Sequence, residues 1–214
     1  MARLEVRKNM KIGIMGGTFN PIHYGHLVTA EEALSQFKLD RVIFIPTGQP
    51  PHKTTCKLAS PEDRYMMTVM ATASNSHFFV SRLETERKGK SYTIDTLREL
   101  KFIYGESATF YFITGADAIL EILTWKNTEE IIIMCKFIAA TRPGYNLSRI
   151  EELKKKLFGI NANPEIAKDG VSIMEIPALA ISSTDIRERI KTGRPIKYLL
   201  PESVCNYLLK NDLY

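Results

Sequence analysis

The sequence predicts an α/β protein: a Rossmann-like, doubly wound parallel sheet with a small helical region at its C-terminal end. Short runs of β-branched and aromatic residues alternate along the chain with segments of helical periodicity, which is typical of βαβ units around a parallel sheet. The 214 residues can bury the core of one domain, and 44% apolar with 25% charged residues is an ordinary globular composition.

The first elements follow one another closely. KIGIM predicts the first strand, HLVTAEEALSQF a helix and RVIFIP the second strand. A second helix is predicted to open at SPED, where Ser60 and Asp63 have capping-box spacing and Pro61 holds the favoured first helical position. Residues 47–59 between them hold two prolines and a glycine, and a loop of that length is more often functional than merely connective.

Four more strands are predicted at HFFVSRLE, TFYFITG, KFIAATRP and VSIMEIP. The remaining stretch predicts two short helices, the first ended by Gly193 and the second begun at Pro201. We therefore expect an unassigned segment over residues 1–10, a Rossmann-like domain over 11–181 and a helical region over 182–214, the last two forming one functional unit.

Charge and composition limit the classes of partner that the protein is expected to bind. The net charge of +5 suits anionic ligands such as nucleotides, but it is spread along the chain, and the basic cluster EELKKKLFG is balanced by its glutamates. The start MARLEVRKNM lacks the apolar centre of a signal peptide, and the longest apolar stretch, IIIMCKFIAA, is short and interrupted by Lys136. We expect a cytoplasmic protein with no nucleic-acid or membrane partner.

The three cysteines, Cys56, Cys135 and Cys205, have no paired spacing, so neither a disulfide framework nor a zinc site is indicated.

The stretch GGTFNPIHYGHL, residues 16–27, directly follows the first strand. In an open parallel sheet, ligands bind at the carboxyl ends of the strands, where small residues and a helix N-terminus can receive a phosphate. The glycines have neither dinucleotide-fingerprint nor Walker spacing. His23 and His26 lie three apart on an opening helix, so both can donate a ring N–H to phosphate. The structural alternative is a capping histidine and a core histidine.

The stretch ISSTDIRERI begins at Ile181 and follows the last predicted strand by a short loop. Its hydroxyls, Ser182, Ser183 and Thr184, would lie at a helix N-terminus on the same sheet edge, and Arg187 one turn later can pair with phosphate. The alternative is an ordinary N-cap with a surface arginine.

Together these two stretches resemble the paired motifs of the HxGH nucleotidyltransferases. PPHK, SYTIDTL, GAD, the single tryptophan and RPG occur between them in the order found in the bacterial nicotinate (nicotinic acid) mononucleotide adenylyltransferase family. The resemblance extends from Lys11 to about Leu209. One departure is Asn20, where many members carry aspartate.

The resemblance implies a reaction in which ATP and nicotinate mononucleotide give deamido-NAD and pyrophosphate, with Mg²⁺ held mostly by ATP and water and no protein metal site. It implies that His23, His26 and Arg187 are catalytic. A second set would bind ATP and its phosphates: Gly16, Gly17, Thr18, Phe19, Gly115, Asp117, Ile181, Ser182, Ser183 and Thr184.

The resemblance also implies a mononucleotide site. Trp125 would stack on the pyridinium ring, and backbone amides at Thr93 and Lys126 would bind the nicotinate carboxylate. Arg142, Lys53 and His52 could reach phosphates, with a surface-charge alternative for each. Two further residues have structural alternatives. Asp117 could be a helix N-cap, and Trp125 could be a buried core residue.

Two functional alternatives stay open at this stage. One is another HxGH transferase, such as phosphopantetheine adenylyltransferase or a cytidylyltransferase. The other is a regulator that binds ATP or NAD without turnover, with a nucleic-acid partner. A homodimer is a candidate assembly.

Overall fold

The computed structural model describes residues 9–50, 58–158, 170–177 and 179–214. Predictions for His52, Lys53 and Cys56 lie outside these residues.

Within the described residues, six strands form one all-parallel sheet in the order β3-β2-β1-β4-β5-β6. The strands are β1 (Lys11–Gly17), β2 (Arg41–Pro46), β3 (Phe78–Val80), β4 (Thr109–Gly115), β5 (Cys135–Thr141) and β6 (Val171–Glu175). This confirms the predicted fold class. The strand order reverses between β1 and β4, so the carboxyl ends of these two strands form the switch point where ligands bind in such sheets.

Helices cover both faces of the sheet. They are α1 (Tyr24–Gln36), α2 (Pro61–Thr72), α3 (Thr93–Tyr104), α4 (Ala116–Ile119), α5 (Thr128–Met134), α6 (Ser148–Phe158), α7 (Ser183–Lys191) and α8 (Glu202–Lys210), with a 3₁₀ turn at Ile122–Thr124. As predicted, Ser60 caps α2, because its hydroxyl accepts the Asp63 N–H at 3.1 Å, and α7 and α8 are the two short C-terminal helices.

The central strands β1, β2, β4 and β5 are largely buried on both faces, as expected of a parallel sheet. Along β1, Ile12 and Ile14 enter one core cluster with α3, α5 and α6. Met15 enters the other with α1, α2 and the C-terminal helices, where Val204 and Leu208 are fully buried. The region 182–214 therefore packs into a core that it shares with the sheet.

Two predicted elements are shorter than their sequence patterns suggested. The segment HFFVSRLE contributes only three strand residues. The Ser81 N–H still donates to the Phe44 carbonyl at 2.9 Å, and in the loop that follows the Ser81 hydroxyl accepts the Leu83 N–H at 3.2 Å. If Asp117 were a helix N-cap, as the structural alternative holds, the helix would extend over AILEILTW. Instead α4 ends at Ile119, a 3₁₀ turn follows at Ile122–Thr124, and Trp125 lies just beyond that turn in extended conformation.

Candidate active site

A cavity of about 460 Å³ opens at the switch point. It brings together residues from both predicted motifs and from the end of β4: Gly16, His23, His26, Gly115, Asp117 and Ile181. We call it the first cavity.

His23 directly precedes α1 as its N-cap residue, in extended conformation. Its side chain is 6% exposed, and burial lowers its pKa from 6.5 to about 4. Its ring stacks on that of His26 with centroids 3.8 Å apart. The Nδ1 atom of His23 is buried without a hydrogen-bond partner among the described residues. The imidazole is therefore neutral at pH 7 and held in place mainly by packing.

The backbone of α1 fixes the tautomer of His26. The His23 N–H donates to Nδ1 of His26 at 3.3 Å, so a neutral His26 ring carries its proton on Nε2. Burial, and then the neighbouring His23, lowers the pKa of His26. The structural alternative thus describes part of the geometry, because His23 occupies the N-cap position of α1 and His26 accepts the backbone N–H of His23. Both rings nevertheless line the first cavity.

The glycines at the end of β1 make room for aromatic rings. A Cβ on Gly17 would lie 3.0 Å from the ring of Phe19, and one on Gly16 would lie 3.3 Å from Phe112. Phe19 is buried, has a left-handed backbone conformation (φ 47°) and meets the His26 ring edge-on at 5.1 Å. The double glycine thus lets Phe19 support His26, a packing role in addition to the predicted phosphate approach.

The second motif is tied to the first through backbone carbonyls. The Ser183 hydroxyl donates to the carbonyl of Pro21 at 2.8 Å, and Nη1 of Arg187 donates to the carbonyl of Asn20 at 2.8 Å. The Ser182 hydroxyl caps α7 by accepting the Asp185 N–H at 3.1 Å, which is the ordinary N-cap alternative.

Of the second motif, Ile181 alone is among the described residues that line the first cavity; Ser182, Ser183, Thr184 and Arg187 lie beside it. The Thr184 hydroxyl accepts Nη2 of Arg187 at 3.4 Å, so all three hydroxyls predicted for phosphate have protein partners already. The amides at the start of α7 and the Arg187 side chain are the parts of this motif best suited to an anion.

Asp117 is held by a residue that the sequence did not single out. The Tyr145 hydroxyl donates to Oδ1 of Asp117 at 2.8 Å, and this bond raises the pKa of Tyr145. Both line the first cavity with Arg142. Arg142 was predicted to reach phosphates of the mononucleotide; it lines this cavity, whereas Trp125, Lys126 and Thr93 line another. At the start of α4, the N-cap residue is Gly115, not Asp117.

A second cavity of about 570 Å³ adjoins the first and shares Gly16 and Thr114 with it. Its walls include the other predicted residues Gly17, Thr18, Thr93, Trp125 and Lys126. The sheet edge therefore separates the predicted residues into two adjacent spaces that meet at the ends of β1 and β4.

Trp125 is half-buried and meets Phe112 edge-on with ring centroids 5.5 Å apart. The Thr128 hydroxyl donates to its carbonyl at 2.9 Å, which holds the following backbone in place. Nζ of Lys126 lies 4.5 Å from the ring centre of Tyr92. Thr93 is the first residue of α3, so its amide is one that a helix leaves without an intrahelical partner.

The cytidylyltransferase-like family model matches residues 14–189. A relative from Thermoanaerobacter sp. (strain X514), named "Probable nicotinate-nucleotide adenylyltransferase", is 56% identical over 98% of this chain and 96% of its own length. One of the same name from Moorella thermoacetica is 55% identical over 95% of this chain and 91% of its own. The chain belongs to the nicotinate-nucleotide adenylyltransferase family.

Solved structures share the fold of this family member at low sequence identity. The nicotinic acid mononucleotide adenylyltransferase of Plasmodium falciparum complexed with NaAD is 22% identical, with a TM-score of 0.75 over 96% of this chain and 97% of its own. The same protein complexed with APC gives a TM-score of 0.74, with 97% and 98% covered.

The glycine of the HxGH pattern, Gly25, lies between the histidines and was given no role of its own by the sequence analysis. A Cβ there would lie 3.0 Å from Cε1 and Nδ1 of His23. The signal was a glycine inside a helix at a position where alanine would favour the helix. Tyr145 was missed too, although it directly follows the RPG stretch.

In the described part of the chain, no group of three or more His, Cys, Asp or Glu side chains is placed to hold a metal ion. Among the same residues, no helix has both the length and the apolar character needed to span a bilayer. The predicted cytoplasmic location, the homodimer and the absence of a nucleic-acid partner stay predictions.

Proposed function

We propose that this chain transfers the adenylyl group of ATP to nicotinate mononucleotide, giving deamido-NAD and pyrophosphate, a step in NAD biosynthesis. One observation carries the proposal: two cavities meet at Gly16 and Thr114, one lined by the histidine pair and the other by the single tryptophan. ATP would occupy the first cavity and the mononucleotide the second. Their phosphates would then meet at the ends of β1 and β4.

The chemistry requires positioning more than proton transfer. An oxygen of the mononucleotide phosphate would attack the α-phosphorus of ATP, forming one P–O bond. The bond to the bridging α–β oxygen would break, and its electron pair would leave with pyrophosphate. A phosphate monoester has a second pKa of about 6, so the attacking group is mostly ionised at neutral pH and needs no general base. The protein would align the reactants in line and stabilise developing charge.

The histidines would act as neutral N–H donors to phosphate oxygens. Their lowered pKa values favour uncharged rings near pH 7. The His23 amide occupies Nδ1 of His26, which directs the ring proton of His26 to Nε2. A preorganised donor of this kind can stabilise charge as it develops, without reorganising during the reaction.

Arg187 and the amides at the start of α7 would bind the triphosphate end of ATP. Support comes from the bonds of Ser183 and Arg187 to the Pro21 and Asn20 carbonyls, which place α7 directly beside the loop that carries His23. Ser182 and Ser183 would contribute mainly through their backbone, and the Thr184 hydroxyl, which accepts Nη2 of Arg187 at 3.4 Å, would orient that guanidinium. Asp117, held by Tyr145, would accept from ribose hydroxyls.

Mg²⁺ would enter with ATP, because it prefers phosphate and water oxygens and keeps much of its own water. Bound there, it would neutralise phosphate charge. Among the described residues, Asp117 is the carboxylate that lines the first cavity.

In the second cavity, Trp125 would stack on the cationic pyridine ring. The amide of Thr93 at the start of α3 and the backbone at Lys126 would bind the nicotinate carboxylate. A helix N-terminus favours an anion over a neutral amide. This supports a preference for nicotinate over nicotinamide mononucleotide.

The test is pyrophosphate release with ATP and Mg²⁺, run in parallel with nicotinate and nicotinamide mononucleotides. Turnover selective for the acid is expected. Equal turnover with both would overturn the proposal that backbone amides bind the nicotinate carboxylate, but it would still support adenylyl transfer. Binding of ATP without turnover of either would favour a different acceptor or a nucleotide-binding regulator.

A further inference from the structure

Arg64 is a buried guanidinium that the proposed reaction does not use. It lies in the first turn of α2 and is only 1% exposed. It shares the inward face of the helix with Met67, Thr68 and Ala71, which are also buried. A charged group at such a position must find hydrogen-bond acceptors, because burying it unpaired is costly.

The guanidinium donates to four backbone carbonyls. Its Nε donates to Ala59 at 3.1 Å, and its Nη2 to Gly48 at 2.9 Å. Its Nη1 donates to Thr18 at 2.9 Å and also to Thr47. These carbonyls belong to the turn after β1, the end of β2 and the residues just before α2. One side chain thus joins three stretches of backbone.

Two of these four residues, Thr18 and Thr47, line the second cavity, whereas none of the four lines the first. Both backbone groups of Ala59 form hydrogen bonds. Its carbonyl accepts Nε of Arg64, and its N–H donates to Oδ1 of Asn20 at 3.0 Å. The residues around Arg64 therefore connect the wall of the second cavity to the glycine-rich motif.

Gly48 shows how closely this wall is packed. A Cβ on Gly48 would lie 2.0 Å from the carbonyl oxygen of Glu84. The Glu84 side chain is itself buried, lines the second cavity and accepts the Thr96 hydroxyl at 2.7 Å. The end of β2 is thus held between Arg64 on one side and the Glu84 segment on the other.

We propose that Arg64 is a positioning residue for the mononucleotide: it sets the distance between the Thr18 and Thr47 walls of the second cavity. The inference rests on the proposed function, in which that cavity receives nicotinate mononucleotide. Arg64 would therefore affect binding of the mononucleotide more strongly than binding of ATP.

The test compares Arg64→Lys and Arg64→Gln with the wild-type chain. Lysine keeps the charge but cannot present the guanidinium's fork of N–H donors, and glutamine keeps a donor without the charge. KM is measured for each substrate by pyrophosphate release. Binding of nicotinate mononucleotide alone is followed by the fluorescence of Trp125, the single tryptophan. ATP binding is followed by calorimetry.

For Arg64→Lys we expect KM and Kd for the mononucleotide to rise about tenfold, the effect of losing one well-placed hydrogen bond to the ligand, while the constants for ATP stay within about twofold. Arg82→Lys is the matched control. Arg82 lies outside α2 and forms an exposed ion pair with Glu62, a residue of the helix that carries Arg64. This variant should keep wild-type constants for both substrates.

Unchanged mononucleotide constants in both Arg64 variants would overturn the inference. Equal losses for ATP and mononucleotide, or loss of folding in both variants, would also overturn it, since Arg64 would then stabilise the fold generally. Failure of the proposed function is separate: the wild-type chain itself would then bind or turn over no nicotinate mononucleotide.

Discussion

Replacing Gly25 with alanine should separate stability from activity. Gly25 is the second residue of α1, and its φ lies outside the left-handed region, so alanine fits the backbone without strain. Alanine favours a helix over glycine by up to about 1 kcal/mol. The fold should therefore tolerate the substitution, with thermal stability unchanged or slightly raised.

The added methyl would instead displace a histidine. It would lie 3.0 Å from two atoms of the His23 ring, whereas ordinary contacts begin at 3.4 Å, so the ring must shift by at least 0.4 Å. His26 stacks 3.8 Å from the same ring and shares the strain. Since a misplacement of ~1 Å can cost ~100-fold in rate, we expect kcat to fall by about ten- to a hundredfold.

The assay is steady-state pyrophosphate release at saturating substrates, paired with thermal unfolding of the same samples. Ser35→Ala is the control: it makes a similar small change at an exposed position of α1, ten residues further along the helix. It should retain wild-type kcat. A stably folded Gly25→Ala protein with kcat within about twofold of wild type would refute the conclusion that ring placement in the histidine pair limits the reaction.

Three further outcomes are expected. The pKa of His23 falls from 6.5 in the unfolded chain to about 4 in the folded one, so between these two values the unfolded state binds the extra proton. Over that window the unfolding free energy should drop by about 1.4 kcal/mol for each unit that the pH falls. Urea unfolding at pH 7 and 5 should show a smaller loss of unfolding free energy in His23→Gln than in the wild-type chain, and an equal loss would contradict this. Trp125→Ala should raise KM for nicotinate mononucleotide about tenfold, the equivalent of a lost cation–π contact, with less effect in Trp125→Phe; an unchanged KM would make Trp125 a core residue. Tyr145→Phe should raise KM for ATP by about two- to fivefold through loss of the hydrogen bond to Asp117. A change in KM for the mononucleotide instead would mean that Tyr145 serves the mononucleotide and not ATP.

The fold could be predicted because its signals are local. Each strand of the sheet is a short apolar run between helical segments, and the Ser60 cap and Gly193 end are encoded within a few residues. β3 is shorter than predicted, because the chain enters a loop after Val80, where the Ser81 hydroxyl accepts the Leu83 N–H. The periodicity of HFFVSRLE does not contain that information.

The site could be predicted only in outline. The motifs predicted which stretches meet, but Ser183 binds the Pro21 carbonyl across 162 positions of sequence, and no local pattern shows that such a hydroxyl has a partner. Arg64 gave a weaker signal: an arginine on the inward face of an amphipathic helix. Arg142 was predicted to reach phosphates, and the end of β5 carries it to the wall of the first cavity; its role there stays a prediction.

The most direct test follows the two ends of ATP separately. ATP labelled at the α-phosphorus and ATP labelled at the γ-phosphorus are each incubated with the wild-type chain, Mg²⁺ and nicotinate mononucleotide, and the products are separated. Transfer between the two cavities predicts the α label in deamido-NAD and the γ label in pyrophosphate, in equal amounts. An α label recovered only as AMP or ADP would mean that water, and not the mononucleotide, is the acceptor, and would contradict the proposed function.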